Sequence, residues 1–212
     1  MDINIKPLDT AMEVIKEFVQ KLIFPPIEEV GLLMSDGVKL WRFKNQVKIL
    51  TKAENYLKQK NIKTKKVSLK VLTPLLEESS LEEDENLQVK WAALVANTVR
   101  EDSKIETTIF SYILSQITPK EADLFTYIYD NCITIQDITP VEQPDILKAT
   151  ITDRNKGLYI GDLPKSNRNA ELYIDNLVRL RIIKEIMGSH IETKFVCVTE
   201  LGLRFMMACT FQ

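Results

Sequence analysis

The chain has 212 residues, 45% of them hydrophobic and 27% charged, and its 28 basic and 30 acidic side chains give a net charge of −2. That composition is ordinary for a folded soluble protein, and the near balance of charge removes any global attraction to nucleic acid, an anionic membrane surface or a polyanionic substrate. The length allows one large domain or two small ones, and two are expected here.

The first helical pattern covers residues 8–24, with Met12, Ile15, Val19, Leu22 and Ile23 on one face and Asp9 or Thr10 as N-cap. Pro25 and Pro26 stop it, and Pro26 can open the next helix. A helical pattern then runs from about 26 to 60, roughly 50 Å at 1.5 Å per residue, with a bend expected at Ser35-Asp36-Gly37. Leu40, Phe43, Val47, Leu50 and Leu57 fall at a and d positions of a heptad frame that Glu54 breaks once. They form a narrow seam for an antiparallel partner, either a second helix or a second subunit, and a homodimer is expected. The other face is basic. Lys39, Arg42, Lys44, Lys48, Lys52, Lys58, Lys60, Lys63, Lys65 and Lys66 oppose only Asp36 and Glu54, so Lys44, Lys48 and Lys52 are the candidate nucleic-acid contacts.

Residues 61–68 read as a polar connector, and Leu69, Leu72, Leu75 and Leu76 as a short helix that Pro74 suits only in its first turn. In the stretch 74–100, PLLEESSLEEDENLQVKWAALVANTVR, Ser80 and Glu83 have capping-box spacing, and Glu82, Glu83, Asp84 and Glu85 place negative charge at a helix N-terminus. A helix over about 81–101 is expected, with Leu87, Trp91, Leu94, Val95 and Thr98 on its buried face. The acidic block at 77–106 should lie near the basic block before it. Another helix is expected near 107–116.

Thr118-Pro119-Lys120-Glu121 carries an N-cap, a proline at the first helical position and a capping-box glutamate, so a new unit starts here. Ala122, Leu124, Phe125, Ile128 and Tyr129 follow on one helix. The segment 152–165, with Gly157, Gly161 and Pro164, reads as an exposed loop. A helix over about 167–180 precedes two strands, 182–186 and 194–198, around a turn at Gly188-Ser189, and Thr199 caps a last helix. The fold class is therefore mainly α: a helical domain at 1–117 with one long helix, and a winged-helix-like unit at 118–212 with a small antiparallel β-hairpin.

Three stretches carry a resemblance: EEVGLLMSDGVKLWRFKNQVKIL at 28–50, LKVLTPLLEESSLEEDENLQVKWAALVAN at 69–97, and VTELGLRFMMACT at 198–210. In these the chain resembles the Abi-alpha (abortive infection alpha) family of bacterial proteins, formerly a domain of unknown function. The resemblance covers most of the chain and implies a part in defence against phage. It brings no catalytic residues to positions in this sequence.

The residues themselves supply no chemistry of a recognised kind. His190 is the only histidine, and no GxSxG, HExxH, GxGxxG, GxxxxGK[ST] or paired CxxC occurs. Cys132, Cys197 and Cys209 are too few and scattered for a disulfide framework or a metal knuckle and read as reduced core thiols. The first residues lack the order of a signal peptide, and no apolar run reaches the length of a membrane span, so a cytoplasmic location is expected. Neither a catalytic site, a metal site nor a cofactor is expected. The favoured reading is a non-enzymatic phage-defence protein acting through contacts with a protein partner. The alternative is a nucleic-acid-binding regulator using the basic face or the winged-helix-like unit, although 118–212 holds eleven basic against thirteen acidic side chains. An enzyme would require an unexpected pocket of converging carboxylates.

Overall fold

The computed structural model describes residues 17–19, 21–22, 37–105, 107–132, 158–160, 163, 170–187 and 194–211. It is mainly helical, with a small antiparallel sheet, and divides into two compact units. Unit 1 comprises Met1–Gln116 together with Ala208–Gln212, and unit 2 comprises Ile117–Met207.

In unit 1, helix α1 spans Gly37–Gln59; residues 26–36 of the expected long helix lie outside the described residues. Its buried stripe is Asn45, Ile49, Leu50, Ala53, Glu54 and Leu57. This stripe follows i, i+4 spacing and includes polar side chains, so it is offset from the heptad frame that the leucines alone suggest. Glu54 is 8% exposed and pairs with Lys58 at 2.9 Å. The helix ends where Asn61 takes φ 51°. The Ile62 amide donates to Leu57 O at 2.9 Å and the Asn61 amide to Lys58 O at 3.0 Å. This pair of bonds is a Schellman motif, and asparagine tolerates the left-handed position better than most residues.

The connector that follows runs antiparallel to the chain after α3. Thr64 bridges Arg100, the Lys65 amide donates to Val99 O at 2.8 Å, and the Glu101 amide donates to Lys63 O at 2.8 Å. The Lys65 ammonium also donates to Ser103 O. Basic and acidic segments do meet here, through backbone bonds more than ion pairs.

Helix α2 spans Leu69–Ser79 and holds Pro74 in its interior, later than the first turn in which the sequence favours it. Pro74 has no N–H to offer the Lys70 carbonyl, but Lys70 is exposed, so water can take that acceptor. Val71, Leu72, Leu75 and Ser79 form the buried face.

Helix α3 spans Glu85–Val99, and every residue from Trp91 to Val99 is buried. It is the central helix of the unit, with α1, α2 and α4 (Ile109–Ser115) packed against it. A helix apolar all round requires cover on all sides. On α4 the buried side chains are Phe110, Ser111, Ile113 and Leu114, while Ile109 and Tyr112 face outward. Residues 208–211 complete the unit. The Asn97 amide Nδ2 donates to Ala208 O at 3.0 Å and Thr210 O at 2.9 Å, and the Phe211 ring stacks on Tyr56 with centroids 5.0 Å apart.

In unit 2, helix α5 spans Pro119–Cys132 and opens with the capping box that the sequence announces. The Thr118 amide donates to Glu121 Oε2 at 2.6 Å and the Glu121 amide to Thr118 Oγ1 at 3.3 Å. Helix α6 spans Ala170–Arg179. Strands β2 (Ile183–Met187) and β3 (Lys194–Val198) pair antiparallel, with Ile183 opposite Val198 and Met187 opposite Lys194.

A further strand, β1 (Leu158–Tyr159), pairs with the other edge of β3, giving the order β1-β3-β2. The stretch expected to be an exposed loop therefore contains an edge strand, and Leu163 beyond it is 5% exposed. Its leucines supply cover that the glycines on either side conceal. The core gathers Phe125, Ile128, Ile174, Leu177, Val196 and Phe205, with the Phe125 and Phe205 rings tilted at 5.9 Å.

Helix α7 spans Glu200–Ala208. Thr199 is its N-cap, accepting from the Gly202 amide at 3.0 Å while donating to Arg181 O at 2.6 Å. A Cβ on Gly202 would sit 2.0 Å from Ile182 O. The helix thus approaches the start of β2 more closely than any side chain allows.

Candidate functional site

Two arrangements of polar side chains stand out, one in each unit. In unit 1, α1 reaches the end of α2. The last carbonyls of a helix have no partner within it and carry the negative end of its dipole. Here α1 supplies the partners. Gln46 Nε2 donates to Leu76 O at 2.7 Å, Asn45 Nδ2 to Ser80 O at 3.2 Å, and Arg42 to Ser80 Oγ at 2.8 Å through Nε and to Glu77 O at 3.4 Å through Nη2. Ser80 Oγ in turn donates to Glu77 O at 2.5 Å.

Ser80 therefore closes α2 rather than opening α3 as its spacing to Glu83 suggests. The N-cap of α3 is Asp84, whose Oδ1 accepts from the Asn86 and Leu87 amides at 3.0 Å each. Glu82 accepts from the Asp84 amide at 2.9 Å, and Gln88 Nε2 donates to Glu82 O at 2.9 Å. Burial pushes the Glu82 carboxyl above its ordinary value, while the Asp84 and Glu83 amides and the Trp91 indole oppose the rise. Trp91 Nε1 is buried without a formed hydrogen bond, yet close enough to Glu82 to favour its charged form. This corner fastens three helices together. Apart from Trp91 Nε1, its donors are engaged by carbonyl, hydroxyl and carboxylate oxygens, and it contains no nucleophile paired with a base.

In unit 2, Glu121 is 5% exposed and its Oε1 accepts from Asn176 Nδ2 at 2.7 Å. Asn176 Oδ1 accepts from Arg179 Nε at 3.0 Å and Nη2 at 2.8 Å. That chain fixes α6 against α5 and turns Arg179 toward its own helix. The outward face of α6 consists of Glu171, Leu172, Asp175 and Arg179, and Leu172 is 64% exposed.

The residues singled out from sequence fall in different places. Leu50 and Leu57 are each 3% exposed and covered by the chain itself, whereas Phe43 and Val47 are half-buried beside them; the Leu40 side chain lies outside the described residues. Lys44 and Lys48 are exposed and Lys52 half-buried. None of the three lysines makes a hydrogen bond or ion pair among the described residues. His190 lies outside the described residues.

Reading for apolar periodicity passed over Asn45 and Gln46, while capping-box spacing assigns Ser80 to the wrong helix end. For Asn45 the available signal was its i, i+4 spacing with Ile49 and Ala53. Among the described residues no group of three or more His, Cys, Asp or Glu side chains could hold a metal ion, and no helix is long and apolar enough to cross a membrane.

Taken together, the fold is that of a mainly helical two-unit protein whose polar clusters fasten helices. Residues 38–209 match the family model described as "Abortive infection alpha", and the chain belongs to that family. No curated protein and no solved structure matches it.

Proposed function

We propose that this protein serves phage defence of the abortive-infection kind, as a non-enzymatic cytoplasmic protein that acts by binding another protein through the outward face of α6. The order of unit 2, helices followed by a hairpin and a closing helix, is winged-helix-like, and α6 stands where such a unit carries its recognition helix. The observation that carries the reading is the make-up of that face. Glu171 and Asp175 flank Leu172, which is 64% exposed, and Arg179, the cation within the described helix, donates to Asn176. A phosphate backbone is bound by free Lys and Arg side chains, and two carboxylates repel it. An exposed leucine ringed by charge is the pattern of a protein contact. In unit 1 the polar groups of the α1–α2 corner are engaged by helix carbonyls, which favours a structural over a catalytic role for them.

The test is plaque formation on a bacterial host expressing the chain, with duplex-DNA binding measured on the same purified proteins. The wild-type chain should reduce plaque number, Leu172→Glu should restore it to the level of an empty vector, and neither protein should bind duplex at about 0.15 M salt. Full defence by Leu172→Glu, or duplex binding that disappears in Lys44→Glu/Lys48→Glu, would reject this reading in favour of a nucleic-acid regulator.

A further inference from the structure

We infer that the occupant of the α6 face is a second copy of this chain, which presents the basic face of its α1; this rests on the reading of α6 as a protein contact. The two faces are matched in charge, in spacing and in exposed apolar content. On α6, Glu171 and Asp175 stand one helical turn apart beside Leu172. On α1, Lys44 and Lys48 stand one turn apart beside the half-buried Phe43 and Val47. Each charge pair spans about 6 Å along its helix, so two ion pairs form in register. None of these four charges has a partner among the described residues of its own chain.

The charge pairs register in either direction: a parallel arrangement sets Lys44 on Glu171 and Lys48 on Asp175 and brings Arg179 onto Lys52, whereas an antiparallel one sets Lys48 on Glu171 and Lys44 on Asp175 and brings Arg179 to position 40, beside Lys39 in sequence. Antiparallel packing opposes the two helix dipoles, and that sets the direction. The contact is heterologous, with each copy offering one face of each kind. The half-buried Phe43 and Val47, which the inward packing of Leu50 and Leu57 leaves at the margin of α1, meet Leu172 at its centre.

The experiment is a charge swap read by sedimentation equilibrium on the full chain. Wild-type protein should associate at about 50 mM salt and dissociate as salt rises to about 300 mM. Glu171→Lys/Asp175→Lys and Lys44→Glu/Lys48→Glu should each weaken association at least about tenfold, because each sets like charges against one another. Mixed in equal amounts, the two variants should regain association near the wild-type level, since each then meets a partner of opposite sign. Where a reversal lowers the urea midpoint, Glu171→Gln/Asp175→Asn replaces it, and loss of the salt-dependent association is the expected result. Variants that associate as strongly as wild type, or a mixture that stays monomeric, overturn the inference. A monomeric wild-type protein overturns it too. In that case, loss of defence by Leu172→Glu would still leave the α6 face as a contact for a different protein.

Discussion

Arg42 and Ser80 stand 38 residues apart in sequence, and the Arg42 guanidinium Nε donates to the Ser80 hydroxyl across 2.8 Å. Beside this bond the buried Asn45 donates to the Ser80 carbonyl. The two contacts differ in exposure and should differ in energy. Asn45→Ala leaves a buried acceptor unpaired and should lower stability by about 1–3 kcal/mol, whereas Arg42→Ala, which loses one part-buried and one exposed bond, should cost less than about 1 kcal/mol. Urea unfolding followed by circular dichroism checks the order. An Arg42 variant weaker than the Asn45 variant would place the strength of the corner in its charge.

Gly202 is the second sensitive position. Its missing Cβ leaves room for the Ile182 carbonyl, so Gly202→Ala forces α7 away from β2 and should lower stability by about 1–3 kcal/mol. Thr199→Ala removes the cap of the same helix and should cost about 1 kcal/mol. Because the two residues share one hydrogen bond, the double variant should lose less than the sum of the singles in thermal unfolding.

Arg181 takes φ 61° at the end of α6, where the Ile182 amide donates to Leu177 O at 3.2 Å and the Arg181 amide to Val178 O at 2.8 Å. A side chain in that region carries a cost that glycine avoids. Arg181→Gly should therefore raise stability by about 0.5–1 kcal/mol, less whatever freedom glycine adds to the unfolded chain. Arg181→Val should lower it, and differential scanning calorimetry on both variants reads the difference.

Glu82 gives a pH dependence of defined sign. Its folded carboxyl titrates above the ordinary value of 4.5 because burial disfavours the charge, so the folded protein keeps a proton that the unfolded chain has already lost. Stability from this group is full below 4.5 and falls as pH rises through the folded value. Glu82→Gln should accordingly melt at a higher temperature than wild type near pH 7, and the gap should close near pH 4. A gap that widens toward acid would mean that the carboxylate is stabilised in the folded state instead.

Cys209 is fully buried, and its thiol is pushed up to about 12, chiefly by desolvation, with Lys90 opposing the rise. Burial raises the Cys132 and Cys197 thiols as well. Iodoacetamide near pH 8 should leave all three unmodified in the native protein and alkylate all three in urea, as mass spectrometry can count.

What the sequence discloses is local. The capping box at Thr118 and Glu121 needs only four consecutive residues, and the β2–β3 hairpin needs only two patterned runs, so both were legible. The buried stripe of α1 was not, because Asn45 and Glu54 look like surface residues until the carbonyl or lysine that satisfies each is known. Ser80 illustrates the same limit: its spacing to Glu83 fits a capping box, but Asp84 sits closer to the first free amides, and Arg42 competes for the serine hydroxyl. Pro74 stays inside a helix because Lys70 faces water, a property of tertiary placement. The α6 face was not legible either: Leu172 reads as one apolar helix residue among Ile174 and Leu177, and only its 64% exposure, with Arg179 bonded to Asn176, sets it apart.

The fastening of residues 208–211 into unit 1 sets an order on biosynthesis. Asn97 waits for carbonyls that are translated more than a hundred residues later. As the chain leaves the ribosome, unit 2 has all its residues first, although unit 1 begins earlier. The helices around α3 must persist through that interval without the stacking of Phe211 on Tyr56 and without the bonds from Asn97 to Ala208 and Thr210, a vulnerable intermediate for a chaperone or a protease to meet. A stop codon placed just before Ala208 would make that interval permanent.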